Sequence, residues 1–178
     1  MPPGPADERT RVAQPVPADR PKALAPAVAS MTVLVAAVIV HDRVGNRVVL
    51  LQRGENAKFG RGMWDLPVGK SEPGESITGT AVRELYEETG MTVKADALRV
   101  VHVVHGAWGV EAPNGYLTVV FAAHEWDGEP ENREPLKHAQ VRWTDLGAVP
   151  APFVKSSAGA LRRYLASATP EVSLHGWP

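Results

Sequence analysis

Residues 69–91 read GKSEPGESITGTAVRELYEETGM. Ile77, Ala81 and Leu85 recur every four residues. That spacing draws one apolar stripe along a helix predicted over residues 76–89. Ser76 is a suitable N-cap, and Gly90 stands where helices commonly close on a left-handed residue. Glu84, Glu87 and Glu88 fall at i, i+3 and i+4, so they share a face. Arg83 precedes them and lies four residues ahead of Glu87. Three carboxylates on one face repel each other, whereas hard divalent cations such as Mg²⁺ take carboxylate oxygens and leave their other positions to water and phosphate. Alone, the acidic face also fits an ordinary charged surface helix. The loop before it, with Gly69, Pro73, Gly74 and Glu75, adds backbone N–H groups suited to phosphate and carbonyls suited to a metal.

The pattern Gly69, five residues, Glu75, seven residues, then Arg83, Glu84, Leu85, Tyr86, Glu87, Glu88, Thr89, Gly90 and Met91 resembles the complete Nudix box. Seven fixed residues at roughly one in fifteen each recur by chance about once in a million chains of this length, so the pattern is specific. The resemblance implies an α/β fold, the Nudix α/β/α sandwich, with a mixed sheet and a loop–helix–loop catalytic motif over residues 31–167. It implies that Glu84, Glu87 and Glu88 bind Mg²⁺, or Mn²⁺ in its place, with the Gly69 carbonyl as a further ligand. It implies that Arg83 orients a neighbouring glutamate, that Glu75 braces the loop by pairing with Arg83, and that Glu84 ranks first as general base. Such roles suit a polyphosphate linkage, whose charge repels hydroxide until a cation offsets it.

Upstream, residues 32–41 and 47–52 read as strands joined by a turn over 42–46, and residues 54–62 as a loop. Arg53 ends the second strand; similar enzymes carry an arginine there that points at phosphate, the alternative being a solvated strand end. Lys70, beside Gly69, is a further candidate for substrate contact. Trp64 either stacks on a base or packs beneath the loop. Val68 departs from the resemblance, because many relatives have glycine there, and its side chain is expected to narrow the phosphate loop.

Downstream, residues 98–105, 116–126 and 140–144 read as strands, and 155–166 as a final helix. Residues 168–178 read as a C-terminal tail. The charged loop 129–137 resembles one in the MutT-homologue group that cleaves nucleoside triphosphates. The resemblance implies that Glu134 approaches the metal cluster and that Lys137 contacts phosphate. Val141 stands where that group has a tryptophan, which leaves base selectivity open. His102 and His105, three apart on a strand, point to opposite faces and make a poor metal pair. Trp108 and Tyr116 flank a glycine-bearing hairpin loop, where they line a base pocket or simply pack the loop.

The 178 residues suffice for one domain, and 44% apolar residues for a packed core. A net charge of −1 lacks the basic excess that tracks nucleic acid. The absence of cysteine excludes disulfides and thiolate chemistry and fits a cytoplasmic protein. Residues 1–30, with seven of the sixteen prolines, read as a disordered tail. The apolar run 23–40 raises a signal or anchor, but Pro26 and Ser30 interrupt it and residues 33–40 suit a buried strand, so no membrane partner is expected. A homodimer is compatible with the chain, although no interface signal is visible.

The leading functional expectation is hydrolysis of a nucleoside triphosphate to the monophosphate and pyrophosphate, in nucleotide-pool housecleaning. The alternatives are ADP-ribose, a nucleotide sugar or a dinucleoside polyphosphate. ADP-ribose enzymes often carry a proline about fifteen residues beyond the box, where this chain has Gly106. A non-catalytic nucleotide-binding module is a further class, disfavoured because all the box glutamates are present.

Overall fold

The computed structural model describes residues 27–167 and 169–177. Its centre is β1 (Val33–Asp42), in which six consecutive residues, 35–40, are buried. A strand buried on both faces reads as a continuous apolar run, which is why this segment carries no polar alternation. β1 pairs in parallel with β6 (Tyr116–Ala123), and antiparallel with β4 (Val68–Lys70) and the start of β2 (Arg47–Arg53). The sheet runs β3 (Trp64–Asp65), β2, β1, β6, β5 (Arg99–Gly106), β8 (Glu171–His175), with β7 (His138–Asp145) on β2. It is mixed, since β5 and β8 are also parallel.

Alternate residues of β1 point to opposite faces, and each face meets a helix. Ala36, Val38 and Val40 pack with Phe121 against Ala81 and Leu85 of α1 (Ile77–Thr89). Ala37 and Ile39 pack with Val48, Leu50 and Val104 against Ala160 and Leu161 of α2 (Lys155–Ala166). The result is an α/β/α sandwich.

Three segments differ from the sequence reading. β6 ends at Ala123, and Trp126 leaves the ladder to pack against Trp143, ring centroids 5.1 Å apart. β7 is longer than expected because an irregularity between Gln52 and Arg53 lets pairing continue to His138. Residues 171–175, read as tail, form β8 on the edge of β5, where Ser173 Oγ lies 2.9 Å from Nε2 of the buried His102. Val28–Ser30 make one 3₁₀ turn, and the rest of the expected N-terminal tail, residues 1–26, lies outside the described residues. Of the apolar run 23–40, the described part from residue 33 on is β1. Among the described residues, no helix is long and apolar enough to cross a membrane.

Candidate active site

β4 and α1 build the site between them. Ser76 caps α1 by accepting from the Gly79 N–H at 3.1 Å, and Gly90 closes it in the left-handed region at φ 72°. Burial of Ala81 and Leu85 fixes the rotation of the helix. Glu88, three residues beyond Leu85, therefore lies on the buried face at 5% exposure, while the side chain of Glu87 is 48% exposed. Glu84 lies between these extremes and turns toward β4, where its carboxylate rests against the Gly69 α-carbon. A Cβ at Gly69 would overlap that carboxylate, so Glu84 keeps this seat only against a glycine.

Arg83 ties the motif together. Its Nε and Nη2 donate to the two oxygens of Glu75 at 2.9 and 3.0 Å. Its Nη1 donates to Glu84 at 2.8 Å and Glu87 at 3.0 Å, and Nη2 also donates to the Lys70 carbonyl at 3.0 Å. Glu75 further accepts from the Thr80 hydroxyl and the Glu72 N–H. The Arg83 guanidinium, against desolvation, holds the Glu75 carboxyl down to about 2. Burial pushes the Glu84 carboxyl up, with Arg83 opposing.

Glu88 accepts at one oxygen from the Val68 N–H, 2.8 Å away, and its other oxygen lies 3.2 Å from His138 Nε2. Burial pushes its carboxyl up to about 7, against these two contacts. Val68 thus serves through its backbone, while its side chain packs into the core on the α2 side of the sheet, away from the glutamates.

The loop before β7 docks on the C-terminal end of α1. Glu131 N–H donates to the Thr89 carbonyl at 2.8 Å, and the Arg133 guanidinium lies 4.4 Å from the Tyr86 ring centre. This docking brings Glu134 to the cluster, where ligand atoms of Glu88, Glu134 and His138 lie within 4.8 Å of one another. Lys137 Nζ is 2.5 Å from Glu134. The buried Glu88 carboxylate, held by one N–H and a histidine, stands beside Glu84 and Glu134 in a set of hard oxygen donors. The set fits a divalent metal ion.

The structure therefore brings together Gly69, Glu75, Arg83, Glu84, Glu87, Glu88, Glu134 and Lys137, and leaves Lys70 exposed beside them. Two of the candidate substrate contacts are engaged within the fold. Trp64 is 5% exposed: it pairs with Gln52, packs with Leu50, Leu66 and Phe153, and has Arg142 over its ring, so it offers no face to a base. Arg53 is held by the buried Asp65 at 3.0 Å and the Phe59 carbonyl at 2.9 Å, with its guanidinium over the Phe59 ring. It braces its own loop instead of standing free for phosphate. Of the hairpin aromatics, Tyr116 packs into the core and Trp108 is exposed. The sequence reading missed Thr80 and His138; the spacing of His138, four after Glu134, was the available signal.

A mixed sheet between two helices, with a strand–loop–helix gathering glutamates around one glycine, defines a class of domain. The chain belongs to the Nudix family: the NUDIX domain matches residues 31–164. The mouse protein named nucleoside diphosphate-linked moiety X motif 6 is 41% identical over 70 residues, covering 38% of this chain and 22% of its own length. Human 8-oxo-dGDP phosphatase is 28% identical over 122 residues, 67% of this chain and 34% of its own. The solved structure of a MutT NUDIX hydrolase from Burkholderia pseudomallei matches with TM-score 0.63 at 26% identity, over 75% of this chain and 98% of that one. The chain spans between 20% and 61% of the length of the first curated relatives it matches.

Proposed function

We propose that this chain hydrolyses the diphosphate linkage of a nucleotide in a divalent-metal-dependent reaction, with a nucleoside triphosphate as substrate and the monophosphate and pyrophosphate as products. The observation that carries the reading is the close seat of Glu84 on Gly69 beside the buried Glu88 and the incoming Glu134. The names of the relatives support a nucleoside diphosphate substrate class, and the MutT likeness supports a role in cleaning the nucleotide pool.

Glu84, Glu87, Glu88, Glu134 and the Gly69 carbonyl would hold Mg²⁺ or Mn²⁺. When bound, the ion supplies charge neutralisation for the polyphosphate and acidifies the attacking water. Arg83 holds Glu84 and Glu87 in place from one guanidinium, and Glu75 in turn holds Arg83. Glu84, whose proton affinity is raised by burial, is suited to accept the proton of the attacking water. That water adds to phosphorus as the bond to the leaving phosphate oxygen breaks, and pyrophosphate departs. Lys137 and Lys70 would meet the remaining phosphate charge.

The test is product release with Mg²⁺ across ordinary and oxidised (d)NTPs, ADP-ribose, a nucleotide sugar and a dinucleoside polyphosphate, each with an EDTA control. Pyrophosphate from triphosphates alone is the expected outcome; cleavage confined to ADP-ribose or a nucleotide sugar overturns the substrate. Glu87→Gln or Glu88→Gln should lower kcat by orders of magnitude in folded protein, because each removes charge from the metal site. Unchanged turnover in both variants overturns the metal assignment.

A further inference from the structure

Glu134 and His138 come from a single turn of chain. The His138 backbone N–H donates to the Glu134 carbonyl at 2.9 Å, so the two side chains, four residues apart, leave the same face of that turn. Both meet α1 at Glu88. His138 Nε2 lies 3.2 Å from Glu88 Oε1 and 3.6 Å from Glu134 Oε2, and the imidazole is 96% buried, its side chain being 4% exposed. A nitrogen between two carboxylates serves either as a metal ligand or as a hydrogen-bond donor, and the second ring nitrogen separates these roles. A histidine that binds metal through Nε2 carries its proton on Nδ1 and nearly always gives it to a carboxylate, a carbonyl or water. His138 Nδ1 is buried and meets no acceptor among the described residues. With no protein acceptor at Nδ1, the tautomer that gives the ring a hydrogen bond to the protein carries its proton on Nε2, where Glu88 Oε1 receives it.

We propose that His138 is a positioning residue for Glu88: its Nε2–H and the Val68 N–H grip one carboxylate oxygen each and fix the orientation in which Glu88 meets the cation. The Asn132 side-chain amide, donating to the His138 carbonyl at 2.8 Å, anchors the turn that delivers the ring. The inference rests on the metal-dependent reading above.

The experiment is Mn²⁺ binding to the intact protein, followed by electron paramagnetic resonance of the free ion, for the wild type, His138→Ala and His138→Gln. The expected result is about 10- to 100-fold weaker binding in His138→Ala. His138→Gln should recover most of that loss, because its amide N–H reaches the place of Nε2. The wild-type complex should show no ¹⁴N coupling from a directly bound imidazole. Wild-type affinity in a folded His138→Ala variant overturns the proposal. So does a directly bound ¹⁴N signal, or a folded His138→Gln as weak as the alanine variant. If His138→Ala fails to fold, the glutamine variant and the wild-type ¹⁴N measurement still decide. Absence of Mn²⁺ binding by the wild type overturns the metal reading itself, and is recognised before any variant is compared.

Discussion

At Gly69 one hydrogen in place of a methyl lets a carboxylate rest on the backbone of β4. Gly69→Ala should therefore displace Glu84 while leaving the sheet intact, since the strand conformation itself accepts alanine. A displacement of about 1 Å at a reacting group costs on the order of 10²-fold in rate, so kcat/KM should fall at least that far with an unchanged circular dichroism spectrum. Retained activity would show that the glycine serves some other need. Glu75 offers a different residue-scale test. Arg83 holds its carboxyl near 2, below an ordinary value of 4.5. A depressed carboxyl contributes stability in full above its ordinary value and loses it as the pH falls toward the depressed one. Glu75→Gln lacks this contribution at every pH. Its melting temperature should thus fall less steeply than that of the wild type between about pH 4.5 and 2, which a series of thermal melts would measure.

At the scale of elements, α1 joins the candidate metal-binding carboxylates to the docking of the loop. Gly90 is its closing residue, and a Cβ there would sit 3.2 Å from Arg133 Cδ as well as at positive φ. Gly90→Ala should cost about 1–2 kcal/mol in urea denaturation, with the Arg133 side chain yielding slightly to admit the methyl. An equal midpoint of unfolding would contradict this. The same helix explains what was legible in the sequence. Its stripe, its caps and its acidic face are set by spacings of three and four residues, so they can be read without knowing the fold. Trp64, Arg53 and His138 could not be read that way. Trp64 packs inward beside Phe153, to which its backbone is bridged from far along the chain, Arg53 is held by Asp65 on the neighbouring strand, and His138 gains its role from Glu88, fifty residues earlier. β8 was missed because its alternation is short and its inward partner, His102, is seventy-one residues away.

Across the whole molecule, the site and the far edge of the sheet are separate. Gly69 pairs with Ala36 on β1, whereas β8 lies beyond β6 and β5 and is held there by the ladder, the His102–Ser173 contact and the Arg163–Glu171 ion pair at 2.7 Å. Deleting residues 168–178 would strip the hydrogen-bonding edge of β5 and leave the His102 ring without its hydroxyl partner. A bare edge strand is a template for pairing with another chain, and β5 carries the buried Val104 close to that edge. The shortened protein should melt at a lower temperature and show a higher mass by light scattering at raised concentration. Its Mn²⁺ affinity should stay that of the full chain, because α1, β4 and the loop carrying Glu134 make no use of β8. A monomer with unchanged melting would mean that β8 adds nothing to the sheet. A loss of Mn²⁺ binding in still-folded protein would mean that the edge and the site are coupled through β5 and β6, and that the sandwich behaves as one cooperative unit.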